Sequence, residues 1–180
     1  DLCSVREYKD HQNNVGKNLN FKFQKLFLKK KKKISNGMAI GLKHGFDSGV
    51  SLDYVYKNQP KGKLGFGKMM DENYLNAIGW RGIRIRKQHL LKLLEENIQT
   101  LKNEGKSIKI LDIAGGTGNY LFDIKEKYPD AEIVINEFMK ANIEEGEKVI
   151  NNKNYENIRF TNFDCFDPKT YEKVNFQPNI

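Results

Sequence analysis

Three acidic residues and one glycine cluster carry most of the chemistry that this sequence offers. Asp112 is followed by Ala114-Gly115-Gly116-Thr117-Gly118, and glycines allow a sharp turn and a close approach of a ligand to the main chain. Glu137 lies 19 residues after Gly118, near the spacing of about 20 expected for a carboxylate that accepts hydrogen bonds from ribose hydroxyls. Asp164 follows further along the chain. This pattern predicts a site for a nucleoside-containing ligand.

The segments around these residues predict alternating strands and helices. Apolar, β-favouring residues at positions 108–113, 131–136 and 157–162 are typical of strands, and the amphipathic segment 120–128 is typical of a helix. In an α/β fold such strands run parallel, and their carboxyl ends meet at one edge of the sheet. We therefore predict an α/β fold in which the glycine turn follows the first strand and an acid stands at the end of each strand.

The spacing of Asp112, Ala114, Gly116 and Gly118 resembles motif I of S-adenosylmethionine-dependent methyltransferases with a Rossmann-like fold. The resemblance implies that the loop passes under the methionine and ribose part of the cofactor, with Asp112 near its ammonium group. It further implies an acid on the ribose and another near the adenine amine. The residues predicted to bind the cofactor around this edge are Asp112, Ala114, Gly115, Gly116, Thr117, Gly118, Glu137, Phe138, Asp164 and Cys165.

Two further segments, 45–58 and 74–84, resemble a bacterial methyltransferase family, and the similarity extends from about Ile34 to Ile180. Members of that family often form the C-terminal half of a longer chain that begins with an α/β-hydrolase domain. The resemblance implies an upstream hydrolase domain in the same chain and, by association, a small-molecule or lipid-like methyl acceptor. The departures are Ala114, where many methyltransferases have glycine, Glu137, where aspartate is common, and Phe163, where glycine often precedes the adenine-binding acid.

We predict three regions along the chain. Residues 1–33 form a linker or basic tail, residues 34–107 form a helical N-terminal extension that resembles a lid, and residues 108–180 form the N-terminal half of a Rossmann-like methyltransferase domain. Gln177-Pro178 leads towards a fourth strand, so the sheet is truncated after strand three or four. We therefore expect this sequence to be a piece of a longer protein.

Local signals predict helices in the extension. Ser35 or Asn36 could cap a helix that ends at Gly45. Asp71 is predicted to cap a second, short helix, and an apolar stripe at helical spacing predicts a long one from about residue 80 to residue 103.

The extension also offers groups that suit the cofactor. Arg81 and Arg84 share one helix face because they are three residues apart, and one of them could clamp the cofactor's carboxylate. Tyr56 could face the sulfonium, because aromatic faces attract cations, and Tyr54 and Tyr74 could line the same pocket. Ordinary packing roles stay open for all three tyrosines.

The charge is unevenly distributed and leaves two other function classes open. Residues 1–107 contain 22 Lys and Arg against 10 Asp and Glu, and the excess is concentrated in the run from Lys29 to Lys33. Such a run beside apolar residues is most simply a solvated basic helix in a linker. If it binds a partner, as it would in a non-catalytic adapter, it suits an anionic membrane surface better than nucleic acid. A nicotinamide-dependent oxidoreductase would use the same glycine loop, although Leu121 stands where its fingerprint has a third glycine.

Several signatures are missing from the sequence. No apolar run is long enough to span a membrane, no Cys, His or Asp spacing suggests a metal site, and no G-x-S-x-G elbow occurs. Cys3 and Cys165 suggest no disulfide framework, which favours a reducing cytoplasm. We predict an enzyme that transfers a methyl group from S-adenosylmethionine in the cytoplasm, with membrane association as an open alternative.

Overall fold

A computed structural model of the chain describes residues 35–167, 169 and 174–180. The predicted basic tail, including the run from Lys29 to Lys33, lies outside these residues. The chain divides into two compact units, the first ending at Lys87 and the second beginning at Gln88. This division falls inside one long helix, whereas the predicted boundary between residues 107 and 108 follows the end of that helix and stays a prediction.

The first unit is helical. It contains α1 (Asn36–His44), α2 (Gly49–Lys57), α3 (Leu64–Leu75) and the beginning of α4 (Ile78–Asn103). Ser35 caps α1, as predicted, because its Oγ accepts a hydrogen bond from the Met38 N–H at 3.2 Å. Gly45 follows α1 with a φ of 94° that suits glycine, and this confirms the predicted end of the helix. The core of this unit contains Tyr54, Val55 and Leu75.

Asp71 lies inside α3, so the prediction that it caps a helix is wrong. Its carboxylate is fully buried and serves as an acceptor shared by three segments. The donors are the hydroxyls of Ser35 and Tyr54, the latter at 2.5 Å, and the backbone N–H groups of Asn36, Gly37 and Lys61 at 3.3, 3.2 and 3.1 Å. Tyr54 is therefore a structural donor inside this unit.

The second unit is an α/β layer structure. Its elements after α4 are β1 (Lys109–Ile113), α5 (Asn119–Lys127), β2 (Glu132–Asn136), α6 (Lys140–Lys153) and β3 (Ile158–Thr161). The three strands are parallel in the order β1-β2-β3, with Ile113 opposite Asn136 and Asn136 opposite Thr161. This confirms an α/β fold with a parallel sheet, and it aligns the carboxyl ends of the three strands along one edge.

Branched apolar residues on one sheet face form the core of this unit. Ile98 and Ile135 are fully buried, and burial of such a side chain contributes roughly 1.5–3 kcal/mol. The cluster joins the sheet to α4 and α5; its buried members include Leu94, Ile98, Ile110, Leu121, Ile124, Ile133, Ile135 and Ile158.

The segment that ends at Ile180 lies along the free side of β1. Leu111 N–H donates to the Ile180 carbonyl and Ile180 N–H donates to the Lys109 carbonyl, both at 3.1 Å, which is the pattern of a parallel ladder. This is the segment in which the sequence predicts the lead into a fourth strand. Among the helices that the structure describes, none has the length and apolar character needed to cross a membrane.

Candidate functional site

The glycine loop between β1 and α5 turns through left-handed backbone. Ala114, Gly116 and Gly118 have φ values of 61°, 61° and 77°. Glycine adopts this conformation freely, whereas a residue with a Cβ is disfavoured there by roughly 1–2 kcal/mol. The strain falls on Ala114 alone, which gives a physical reason why glycine is common at this position in the methyltransferases that the motif resembles.

Gly115 is required by contact and not by its backbone angles. A Cβ at this position would lie 2.3 Å from Asp112 Oδ2 and 2.7 Å from Ile135 Cγ2, closer than atoms can approach. A Cβ on Gly118 would likewise lie 2.6 Å from Ile135 Cδ1. The loop therefore packs directly onto β2 and onto the acid of β1, and this brings its main chain to the carboxyl edge of the sheet.

Glu137 is the first residue after β2 and is only 7% exposed. Its Oε2 accepts a hydrogen bond from Gly116 N–H at 2.8 Å, and its Oε1 accepts one from Met139 N–H at 2.7 Å. The carboxylate thus links the glycine loop to the start of α6. Because an ionised carboxylate has about four acceptor positions, Glu137 retains acceptor capacity for hydroxyl groups of a ligand.

Asp112, the penultimate residue of β1, lies near enough to Glu137 for the two charges to interact, and its Oδ2 accepts a hydrogen bond from the hydroxyl of Tyr120. Burial raises the pKa of Asp112 above its ordinary value, and the charge of Glu137 raises this pKa further, while the Tyr120 bond acts in the opposite direction. Two neighbouring carboxylates concentrate negative charge, which favours a cationic group of a ligand.

The side chain of Asn136 holds the loop after β3 against the end of β2. Its Nδ2 donates to the Phe163 carbonyl at 3.1 Å, and its Oδ1 accepts from Phe163 N–H at 3.0 Å and from the Thr161 hydroxyl at 3.2 Å. Asp164 follows directly, with its carboxylate exposed at this edge and accepting from Phe166 N–H at 2.9 Å. The half-buried thiol of Cys165 stands next to it.

The structure places the predicted site residues in two groups. At the carboxyl edge Gly115 packs against Asp112 and Gly116 donates a hydrogen bond to Glu137, and Phe138 is 82% exposed directly after Glu137. Asp164 and Cys165 lie at the same edge, after β3. The remaining two, Arg81 and Tyr56, belong to the first unit, where the Lys87 ammonium lies 5.2 Å from the centre of the Tyr56 ring. The roles of all these residues in cofactor binding stay predictions.

Sequence reasoning missed two residues that organise this edge, Tyr120 and Asn136. A usable signal existed for each of them. Tyr120 carries a hydroxyl in the first turn of α5, directly after the glycine loop, and Asn136 is a buried polar residue at the end of an apolar strand. Within the described ranges 35–167, 169 and 174–180, no group of three His, Cys, Asp or Glu side chains is placed to hold a metal ion.

Comparison with known proteins identifies the class. A family described as "Putative methyltransferase" matches residues 5–180, so the match begins well before Ile34, where the sequence resemblance was expected to start. The chain belongs to this methyltransferase family.

One relative is the "Uncharacterized protein YnbC" of Escherichia coli (strain K12), which is 37% identical over 148 residues. The alignment covers 81% of this chain and 25% of the relative, so the chain spans a quarter of that protein's length. Among solved structures, the bifunctional kinase-methyltransferase WbdD is similar with a TM-score of 0.38 and 19% identity over 42% of this chain and 17% of that chain. PKMT2 from Rickettsia typhi in complex with AdoHcy gives a TM-score of 0.33 and 29% identity, over 34% and 12% of the two chains.

Proposed function

We propose that this chain binds S-adenosylmethionine and forms part of an enzyme that transfers its methyl group to a small-molecule or lipid-like acceptor. The observation that carries the proposal is the position of Glu137. Its carboxylate bridges the glycine loop and the start of α6, with the carboxylate of Asp112 beside it. Membership of a methyltransferase family indicates the reaction class. The carboxylates of Glu137 and Asp112 support S-adenosylmethionine as the cofactor.

The chemistry of the donor set fits S-adenosylmethionine. The remaining acceptor capacity of Glu137 matches the two hydroxyls of a ribose, and the carboxylate of Asp112 matches an ammonium group. Asp164, exposed after β3, matches the amine of adenine, and the ring of Phe138, directly after Glu137, provides an exposed apolar surface. Residues 115–118 would bind the methionine portion through their main chain. Each carboxylate thus has a counterpart in one molecule.

When bound, S-adenosylmethionine supplies an electrophilic methyl group on a sulfonium sulfur. The contribution of this chain would then be to bind and orient, because methyl transfer requires alignment of the reacting atoms and exclusion of water. The sequence-based expectations that Arg81 clamps the cofactor's carboxylate and that Tyr56 offers an aromatic face to the sulfonium stay predictions. No side chain of this chain is assigned to activate the acceptor.

The acceptor class rests on association alone. The family that the sequence resembles often carries an α/β-hydrolase domain upstream, and a lipid-like acceptor follows from that neighbour and not from any geometry. Incubation of the full-length protein with methyl-labelled S-adenosylmethionine and a cell extract, followed by solvent partition, tests this part. Label in the organic phase supports a lipid-like acceptor, and label confined to the aqueous phase refutes it.

Calorimetric titration of the full-length protein with S-adenosylhomocysteine tests the cofactor. Glu137→Gln and Glu137→Ala should both weaken binding, the latter by about 10–100-fold, because hydrogen bonds to a charged group contribute about 1.5–3 kcal/mol. Glu126→Ala is the matched control, because Glu126 is an exposed acid whose hydrogen bonds, within the described part of the chain, come from Lys153 and Tyr155 at the surface. The proposal fails if the unmodified protein does not bind, or if both Glu137 variants bind like the control.

The same titration with NADH distinguishes the nicotinamide alternative. Leu121 occupies the place of the third glycine in the dinucleotide-binding fingerprint, where glycine allows close packing of the helix. The Leu121 side chain is 1% exposed and packed in the core. We therefore expect no saturable NADH binding. Saturable NADH binding in the absence of S-adenosylhomocysteine binding would replace the methyltransferase proposal with an oxidoreductase.

A further inference from the structure

The hydroxyl of Tyr120 reaches across the glycine loop to the acid of β1. Tyr120 lies in the first turn of α5, and its hydroxyl donates to Asp112 Oδ2, eight residues earlier in the chain. We propose that Tyr120 is a positioning residue, which holds Oδ2 of Asp112 so that Oδ1 is presented, ionised, to the ammonium group of the cofactor. This inference rests on the proposed function.

The two oxygens of Asp112 stand in different surroundings. Oδ2 faces the protein, because it accepts from Tyr120 and lies where a Cβ on residue 115 would come within 2.3 Å. The absence of a side chain at Gly115 leaves room for this arrangement. With Oδ2 engaged by the protein, the carboxylate can rotate little about its bond to Cβ, and Oδ1 is the oxygen that can serve a ligand.

The same hydrogen bond maintains the charge of Asp112. Among the residues that the structure describes, two titratable groups act on this carboxylate, the Tyr120 hydroxyl from α5 and the Glu137 carboxylate after β2. Burial and the negative charge of Glu137 both favour the protonated form of Asp112, and a protonated acid would not attract an ammonium group. A hydroxyl donor stabilises the ionised form, so Tyr120 opposes the effect of Glu137. This role differs from packing, because it depends on one oxygen atom.

The test is the pH dependence of S-adenosylhomocysteine binding to the full-length protein. Tyr120→Phe removes the donor, so the pKa of Asp112 rises and the loss of binding at acid pH begins at higher pH. We expect the midpoint of this loss to move up by about one pH unit, which is about tenfold weaker binding on the acid side. Tyr155→Phe is the control, since that hydroxyl donates to the exposed Glu126 at 2.8 Å.

Asp112→Asn provides the second variant, because the asparagine side chain cannot ionise. This variant should bind S-adenosylhomocysteine weakly at all pH values, without the loss of binding at acid pH that the unmodified protein shows. Circular dichroism confirms that each variant is folded. If the unmodified protein binds at no pH, the proposed function itself has failed. If it binds, and the profile of Tyr120→Phe overlies that of Tyr155→Phe, the positioning role is wrong. Retention of the same acid-side loss in Asp112→Asn would also overturn it, because another group would then be titrating.

Discussion

Asp71→Ala should destabilise the helical unit far more than any change at an exposed acid on the same helix. The buried carboxylate of Asp71 joins the start of α1, the Tyr54 hydroxyl of α2 and the backbone at Lys61 to α3. Burial alone would raise the pKa of Asp71, but the hydrogen bonds from Ser35 and Tyr54, with the backbone bonds, together lower it below its ordinary value. The carboxylate is therefore charged and fully used as an acceptor.

The magnitude follows from the donors that would lose their partner. Three of the five hydrogen bonds, those from Ser35 Oγ, Tyr54 OH and Gly37 N–H, are buried. A buried donor left without a partner costs about 1–3 kcal/mol, so Asp71→Ala should lower the free energy of unfolding by at least about 3 kcal/mol. Asp71→Asn keeps the shape of the side chain and one acceptor oxygen. Its free energy of unfolding should therefore fall between those of Asp71→Ala and the unmodified protein.

Urea unfolding followed by fluorescence measures this loss locally. Trp80 is the only tryptophan of the chain, and its ring lies 5.6 Å from that of Tyr74 and packs on the core of the first unit. Glu72→Ala is the matched control, because Glu72 is the exposed neighbour of Asp71 on α3. A difference below about 1 kcal/mol between Asp71→Ala and Glu72→Ala at neutral pH would refute the reasoning, since two surface substitutions, each usually within about 0.5 kcal/mol of no effect, can differ by that much.

The sign of the pH dependence gives an independent check. Because the folded-state pKa of Asp71 is lowered from 3.8, its contribution is fully present above that ordinary value and is lost as pH falls through the lowered one. The gap between Asp71→Ala and the unmodified protein should therefore narrow in strong acid. A gap that widens on acidification would mean that the buried group is held in its neutral form.

Two further substitutions test the second unit. Gly115→Ala should weaken S-adenosylhomocysteine binding at least about tenfold, roughly 1.4 kcal/mol, because the added Cβ would displace the acid of β1. Its control is Gly82→Ala, at an exposed helical position with open space around it. The control should bind normally and be about 0.5–1 kcal/mol more stable than the unmodified protein. Lys125→Met should cost about 1–3 kcal/mol in urea unfolding, because its buried ammonium donates to two backbone carbonyls at 2.6 Å. Lys127→Met, at an exposed ion pair, should change stability by less than about 1 kcal/mol. Equal effects of test and control would contradict either prediction.

The sheet could be predicted from the sequence because its signals are local. Each strand is a short apolar run, and the acid that follows a run must stand at the same edge as the others once the strands are parallel. Asp71 shows the limit of such signals. It sits in the polar stretch Asp71-Glu72-Asn73, which locally looks like the start of a helix, yet its side-chain partner Ser35 lies 36 residues away. Only the packed helices bring that donor within reach.

The glycine motif could be interpreted because two separate physical demands coincide in five residues. At Gly116 and Gly118 glycine is favoured by the backbone conformation, since both residues have positive φ. At Gly115 glycine is required because a side chain would clash with Asp112 and Ile135. This requirement exists whether or not a ligand binds. The motif therefore marks the meeting of β1, β2 and α5 before it marks any cofactor. Selectivity for one cofactor must therefore come from the charged groups at that meeting point. For this reason the decisive experiments substitute Glu137, and Tyr120, which bonds the carboxylate of Asp112, each beside a matched control variant.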